Sequence, residues 1–131
     1  MRLSAGNWSV VMPKTRTVTI YGIPNCDTMK KARDWLDAHG VTYKFHDYRS
    51  QGLSRSEIER WVKALGWEKV LNRASTTFKE LPEDKKVDLD APKAIALMLD
   101  NLTMIKRPML DVDGALTPGF KPAIYEALFV G

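Results

Sequence analysis

The sequence contains one cysteine, Cys26, placed where a thiol can act as a nucleophile. Thr17-Val18-Thr19-Ile20-Tyr21-Gly22 is rich in β-branched and aromatic residues and reads as a strand. Ile23-Pro24-Asn25 is a turn, and Thr28-Met29-Lys30-Lys31-Ala32-Arg33 begins an amphipathic stretch. Cys26 is thus expected where a strand hands over to a helix. The unpaired N–H groups and the positive end of the helix dipole favour an anion there, and the thiolate is the reactive form of the thiol.

Two cations adjoin prolines that fix the local backbone: Arg107 precedes Pro108, and Lys121 precedes Pro122. Arg73, in the polar run Asn72-Arg73-Ala74-Ser75-Thr76-Thr77, is a third candidate. A thiolate ringed by such cations suits an oxyanion or a carboxylate-rich thiol such as glutathione. Arginine brings a bidentate fork, lysine a point charge. Asp27 and Thr28 read as caps of the first helix. Trp35, Trp61 and Trp67 fall in apolar patterns and read as core, and His39 suits the last turn of its helix.

Composition narrows the alternatives. The 131 residues are enough for one domain with its own core. One cysteine allows no internal disulfide, so the reducing cytoplasm is the expected compartment, and any disulfide chemistry borrows a thiol from another molecule. His39 and His46 are the only histidines, and neither stands at ligand spacing from Cys26 or a carboxylate, so no metal is expected. The net charge of +4 is dispersed in short pairs such as Lys30-Lys31, Lys85-Lys86 and Lys106-Arg107. No basic block is interleaved with aromatics, which argues against nucleic acid. No apolar run reaches the ~20 residues of a membrane helix.

The elements around these residues follow from periodicity. Residues 1–16 show none and read as a leader, within which Met12 offers a second start. A single domain is expected over 17–131. Met29, Ala32, Trp35 and Leu36 line one face of the first helix, closed by Gly40. Val41, Tyr43 and Phe45 alternate with polar residues as a second strand, parallel to the first. From about 50 to 103 the pattern is a helical insertion. Ser54-Arg55-Ser56-Glu57 is a capping-box signature, the polar run 72–77 reads as an ordered loop, a short helical piece starts at Leu81-Pro82, and Asp90 caps a helix with Pro92 in its first turn. Strands return around Arg107-Pro108-Met109-Leu110 and Ala115-Leu116-Thr117, joined by the turn Asp113-Gly114, and Pro122 opens a closing helix to Phe129. The order β-α-β, helical insertion, β-β-α is that of a thioredoxin-like α/β fold.

The run Tyr21-Gly22-Ile23-Pro24-Asn25-Cys26-Asp27-Thr28-Met29-Lys30-Lys31-Ala32 resembles the arsenate reductase (ArsC)/Spx family, most closely its YffB-like branch. Leu71-Asn72-Arg73, Lys106-Arg107-Pro108 and Gly119-Phe120-Lys121-Pro122 extend the resemblance, which runs from about Thr17 to Phe129. It implies Cys26 as nucleophile, Arg73 and Arg107 as anion binders with Lys121 in the place of a third arginine, and Pro108 as a cis-proline opposite the cysteine. The branch implies a glutathione-dependent thiol reductase, with glutathione as co-substrate and glutaredoxin as a further partner. Asp27-Thr28-Met29-Lys30 replaces the Gly-Thr-Ser-Arg run of the arsenate reductases, and Met29 stands where a second cysteine would complete a Cys-x-x-Cys switch. The alternative implied by the family is a non-catalytic, Spx-like regulator that binds RNA polymerase.

Overall fold

The structure, a computed structural model, describes residues 16–130. Strand β1 (Val18–Gly22) leads through a short turn into helix α1 (Asp27–Ala38), and β2 (Lys44–Asp47) pairs with β1 in parallel. Helices α2 (Tyr48–Gln51), α3 (Arg55–Leu65), α4 (Trp67–Val70), α5 (Thr76–Lys79) and α6 (Ala91–Asp100) follow. The chain then returns as the antiparallel strands β3 (Met109–Val112) and β4 (Ala115–Pro118) and ends in helix α7 (Pro122–Phe129). The sheet order is β2-β1-β3-β4.

Alternation along the strands sends side chains to two cores. On one face Val18, Ile20, Leu110 and Val112 meet Met29, Ala32 and Leu36 of α1 and Tyr125 of α7. On the other, Met109 joins Ile58, Trp61 and Val62 of α3 and Ala94, Ile95 and Met98 of α6. Trp61 is fully buried, and withdrawing so large an apolar side chain from water contributes about 1.5–3 kcal/mol. The salt bridge from Arg60 of α3 to Asp111 of β3 (2.8 Å) ties the helical layer to the sheet, while Arg60 also pairs within its own helix with Glu57 (2.6 Å).

The register carries the functional consequence. Gly22 pairs with Asp47, and Tyr21 pairs with Met109, which in turn pairs with Pro118. The chain therefore leaves β1 and β2, enters β3 and leaves β4 at one end of the sheet. Residues 23–26, Tyr48, Arg107-Pro108 and Gly119–Lys121 all gather there.

The sequence expectations need five local corrections. Cys26 itself is the N-cap of α1, in extended backbone and with no side-chain cap bond, so Asp27 lies in the first turn and neither it nor Thr28 caps the helix. The second strand starts at Lys44 rather than Val41, because its register begins at Thr19↔Lys44 and β1 offers almost no strand opposite residues 41–43. The polar run 72–77 is not all loop: the Ser75 side chain accepts from the Phe78 N–H and starts α5. Strand β3 begins at Met109, two residues later than read, because Ile105 and Lys106 are engaged with Leu71 and Val70 and the pairing with β1 reaches only to Tyr21↔Met109. At Ser54 the side chain accepts from the Glu57 N–H, but the Glu57 carboxylate binds Arg60 instead of closing the capping box. The expected leader falls outside the described residues except for Arg16, whose Nη1 donates to the Leu128 carbonyl at 2.6 Å.

Candidate active site

Cys26 is partly exposed at the head of α1, and its carbonyl accepts the first helical bond from Lys30 N–H at 3.0 Å. Beneath it, Met29 is buried against Gly22, the last residue of β1. The thiol is set by the strand end on one side and the helix start on the other.

Arg107 comes to this thiol from the segment ahead of β3. Its peptide bond to Pro108 is cis, and the Pro108 carbonyl accepts from Gly119 N–H at 2.8 Å. The guanidinium is held from behind, where Nη1 donates to the Thr103 carbonyl at 2.8 Å. Thr103 N–H in turn donates to Asn101 Oδ1, which caps the 3-10 turn after α6. Half-burial pulls the Arg107 pKa down, but polar contact with Cys26 and with the Tyr48 phenol outweighs it, leaving a net rise. The cation is fixed in place and permanently charged.

Tyr48 completes the cluster, and the sequence reading missed it. It follows Asp47, the register partner of Gly22, so it leaves its strand beside the turn that delivers Cys26. The residue is 1% exposed. Burial pushes its phenol up to about 12, with Arg107 pulling the other way. Its hydroxyl and the Nε of Arg107 are both buried without a hydrogen-bond partner. The two groups lie within electrostatic reach of each other and of Cys26. No pattern in the sequence marks Tyr48, because a lone aromatic after a strand looks like ordinary core.

Arg107 also lines an open depression of about 380 Å³, where Lys69, Lys106 and Lys121 outnumber the single carboxylate of Glu68 and Phe120 and Ile124 add apolar surface. Lys121 is delivered there by the β3–β4 pairing and by Gly119, whose φ of 75° turns the chain into α7. Arg73 is not brought in. The segment before it is pinned by Asn72 N–H to the Met104 carbonyl, 2.7 Å, so Asn72 lines the depression while Arg73 turns outward. The Arg73 guanidinium lies 5.4 Å from the Trp67 ring centroid. The site thus joins Cys26, Tyr48, Arg107 and Pro108, with Lys121 across the depression and Arg73 apart.

A thioredoxin-like domain with a lone cysteine at a helix start and a cis-proline just ahead of β3 defines the class. The chain belongs to the ArsC family, whose model matches residues 21–128. It is similar to a solved YffB protein at 55% identity, with a TM-score of 0.82 over 85% of this chain and 97% of the other. It is likewise similar to an arsenate reductase (ArsC) related protein from Brucella melitensis, at 55% identity and a TM-score of 0.74, over 90% of this chain and 98% of that one. The global transcriptional regulator Spx of Listeria innocua is 31% identical over 79% of each chain.

Proposed function

We propose that this protein is a glutathione-dependent thiol reductase in which Cys26 works through a mixed disulfide. The observation that carries the reading is the solitary thiol at the start of α1, faced by the anchored Arg107, which also lines a basic depression. The Cys26 thiolate attacks the glutathione sulfur of a substrate disulfide. A Cys26–glutathione bond forms, the substrate S–S bond breaks, and the substrate thiolate departs and takes a proton. A second glutathione thiolate then attacks the bound glutathione sulfur, releasing oxidised glutathione and the Cys26 thiolate. Each substrate disulfide reduced consumes one free glutathione, the other half of the oxidised product arriving on the substrate, and this outside thiol is needed because the sequence has no second cysteine to resolve the adduct. Glutathione carries two carboxylates, which the cations around the depression suit. Glutaredoxin is the partner expected to take over the resolving step, and the cytoplasm, where glutathione stays reduced, the expected compartment.

Mass spectrometry after exposure to oxidised glutathione tests this. One glutathione per chain on Cys26, removed by reduced glutathione and absent from Cys26→Ser, supports the reading. A covalent dimer through Cys26 as the main product overturns it.

The likeness to Spx supports a second reading, a non-catalytic regulator that binds RNA polymerase. Pull-down with the polymerase, with Cys26→Ser binding as well as the native protein and no glutathione-coupled turnover, would favour it.

A further inference from the structure

Among the described residues, four buried side-chain polar atoms lack a hydrogen-bond partner: Tyr48 Oη, Arg107 Nε, Trp61 Nε1 and Tyr125 Oη. Trp61 lies edge-on to Tyr21, and Tyr125 belongs to the other core, among Trp35, Phe120 and Phe129. Tyr48 and Arg107 alone share a site, and that site contains the nucleophile. A buried polar atom left unpaired costs stability, so a pair of them beside a reactive group calls for an acceptor that arrives or develops there.

The chemistry of the pair fixes what that acceptor is. Arg107 Nε can only donate, whereas a phenol can accept one hydrogen bond and donate another. Nearby acceptors each take one bond already. The Asp47 carboxylate accepts from Arg49 N–H, and the Thr103 carbonyl takes Arg107 Nη1. The sulfur of Cys26, packed against the same core cluster as Tyr48, is the acceptor there whose charge changes during the reaction.

We propose that Tyr48 is a positioning residue for the Cys26 sulfur, its hydroxyl accepting from Arg107 Nε and donating to the thiolate whenever Cys26 carries negative charge. The inference rests on the thiol chemistry proposed above. In the resolving step the incoming glutathione thiolate bonds to the glutathione sulfur, the old S–S bond breaks, and its electron pair goes to Cys26 Sγ. The Tyr48 hydroxyl stabilises that charge by hydrogen bonding, with no proton transferred. Its phenol pKa, pushed up by burial, keeps the donor hydrogen in place throughout the neutral range.

The test is Tyr48→Phe, which keeps the ring and removes only the hydroxyl. The rate of Cys26 alkylation by iodoacetamide is followed against pH, together with thermal unfolding. Below neutral pH the variant should react about tenfold more slowly, the size of one hydrogen bond to a charged group. At alkaline pH its plateau should be as high or higher, since a thiolate that loses a donor is the better nucleophile. The variant should melt no lower than the native protein, because it loses an unpaired polar atom. Superimposable profiles overturn the proposal, as does a fall by one factor at every pH with reduced stability. No glutathione enters the assay, so a positive result alongside failed glutathione turnover would sink the reductase reading and leave the role of Tyr48 standing.

Discussion

Gly22 and Met29 occupy one space: a Cβ on Gly22 would run into the Met29 thioether, which is buried beneath Cys26. The end of β1 and the first turn of α1 are thereby locked together. Gly22→Ala should overpack this contact and destabilise the protein by about 1–3 kcal/mol, read as a lower denaturation midpoint at unchanged slope. Because the displaced Met29 lies in the first turn of α1, glutathionylation of Cys26 should also slow. An unchanged midpoint would mean that Met29 repacks freely.

Arg107 should dominate the anionic partner's binding. Removing its charge-assisted contacts with Arg107→Ala should weaken capture of oxidised glutathione by roughly 1.5–3 kcal/mol. Lys121→Ala should cost less, an exposed lysine being worth about 1 kcal/mol or below. Arg73→Ala should resemble the surface control Lys85→Ala, because its guanidinium lies by Trp67 rather than at the depression. Second-order rates of mixed-disulfide formation give the ranking, and a loss at Arg73 equal to that at Arg107 would reverse it.

Stability should fall at alkaline pH. Burial raises the phenol pKa of Tyr48 to about 12 and raises that of Tyr125 further, against about 10 in the unfolded chain. Above about pH 10 the unfolded state sheds these protons while the folded state keeps them, so unfolding is favoured as pH rises. Each tyrosine contributes a slope of roughly 1 kcal/mol per pH unit in that window, and its contribution is intact below it. Urea titrations of the native protein and of Tyr48→Phe should diverge above that point, the variant losing stability less steeply.

Arsenate turnover should be weak or absent. Asp27 sets a carboxylate in the first turn of α1, where an oxyanion bound at the helix start would feel it. Lys30 is paired with Asp34 at 3.2 Å, Met29 is buried, and Lys121 lacks the arginine fork. Lys121→Arg alone should not restore activity. Glutathione- and glutaredoxin-dependent arsenate reduction by the native protein at roughly 1 per second or faster would refute this.

Arg60→Ala should cost about 1 kcal/mol or less by chemical denaturation, since the Arg60 side chain is 40% exposed and its ion pairs are solvent-screened. The loss should shrink at high salt.

Local chemistry made much of this fold legible in the sequence. The Asp113-Gly114 turn has φ of 53° and 93°, as a tight hairpin requires. Asp90 accepts from the Lys93 N–H, and Pro122 opens α7, each where its residue type suggests. The start of β2 was not legible, because the register with β1 sets it and alternation continues through Val41–Tyr43 regardless. Cys26 as cap was obscured by the better cap formers Asp27 and Thr28 immediately after it. Of the site, Cys26 and Arg107 were readable from their neighbours. Tyr48 and the outward turn of Arg73 were not, since each depends on backbone pairing between segments far apart in sequence.

Cys26 packs against both cores, one on each side of the sheet. A group attached to its sulfur therefore sits on the seam between α1 with α7 and the helical layer of α3 and α6. Amide hydrogen exchange should report this linkage. Glutathionylation should change protection in both layers at once, even at residues that never touch the adduct, so the redox state of one atom is written into the opening equilibria of the whole domain.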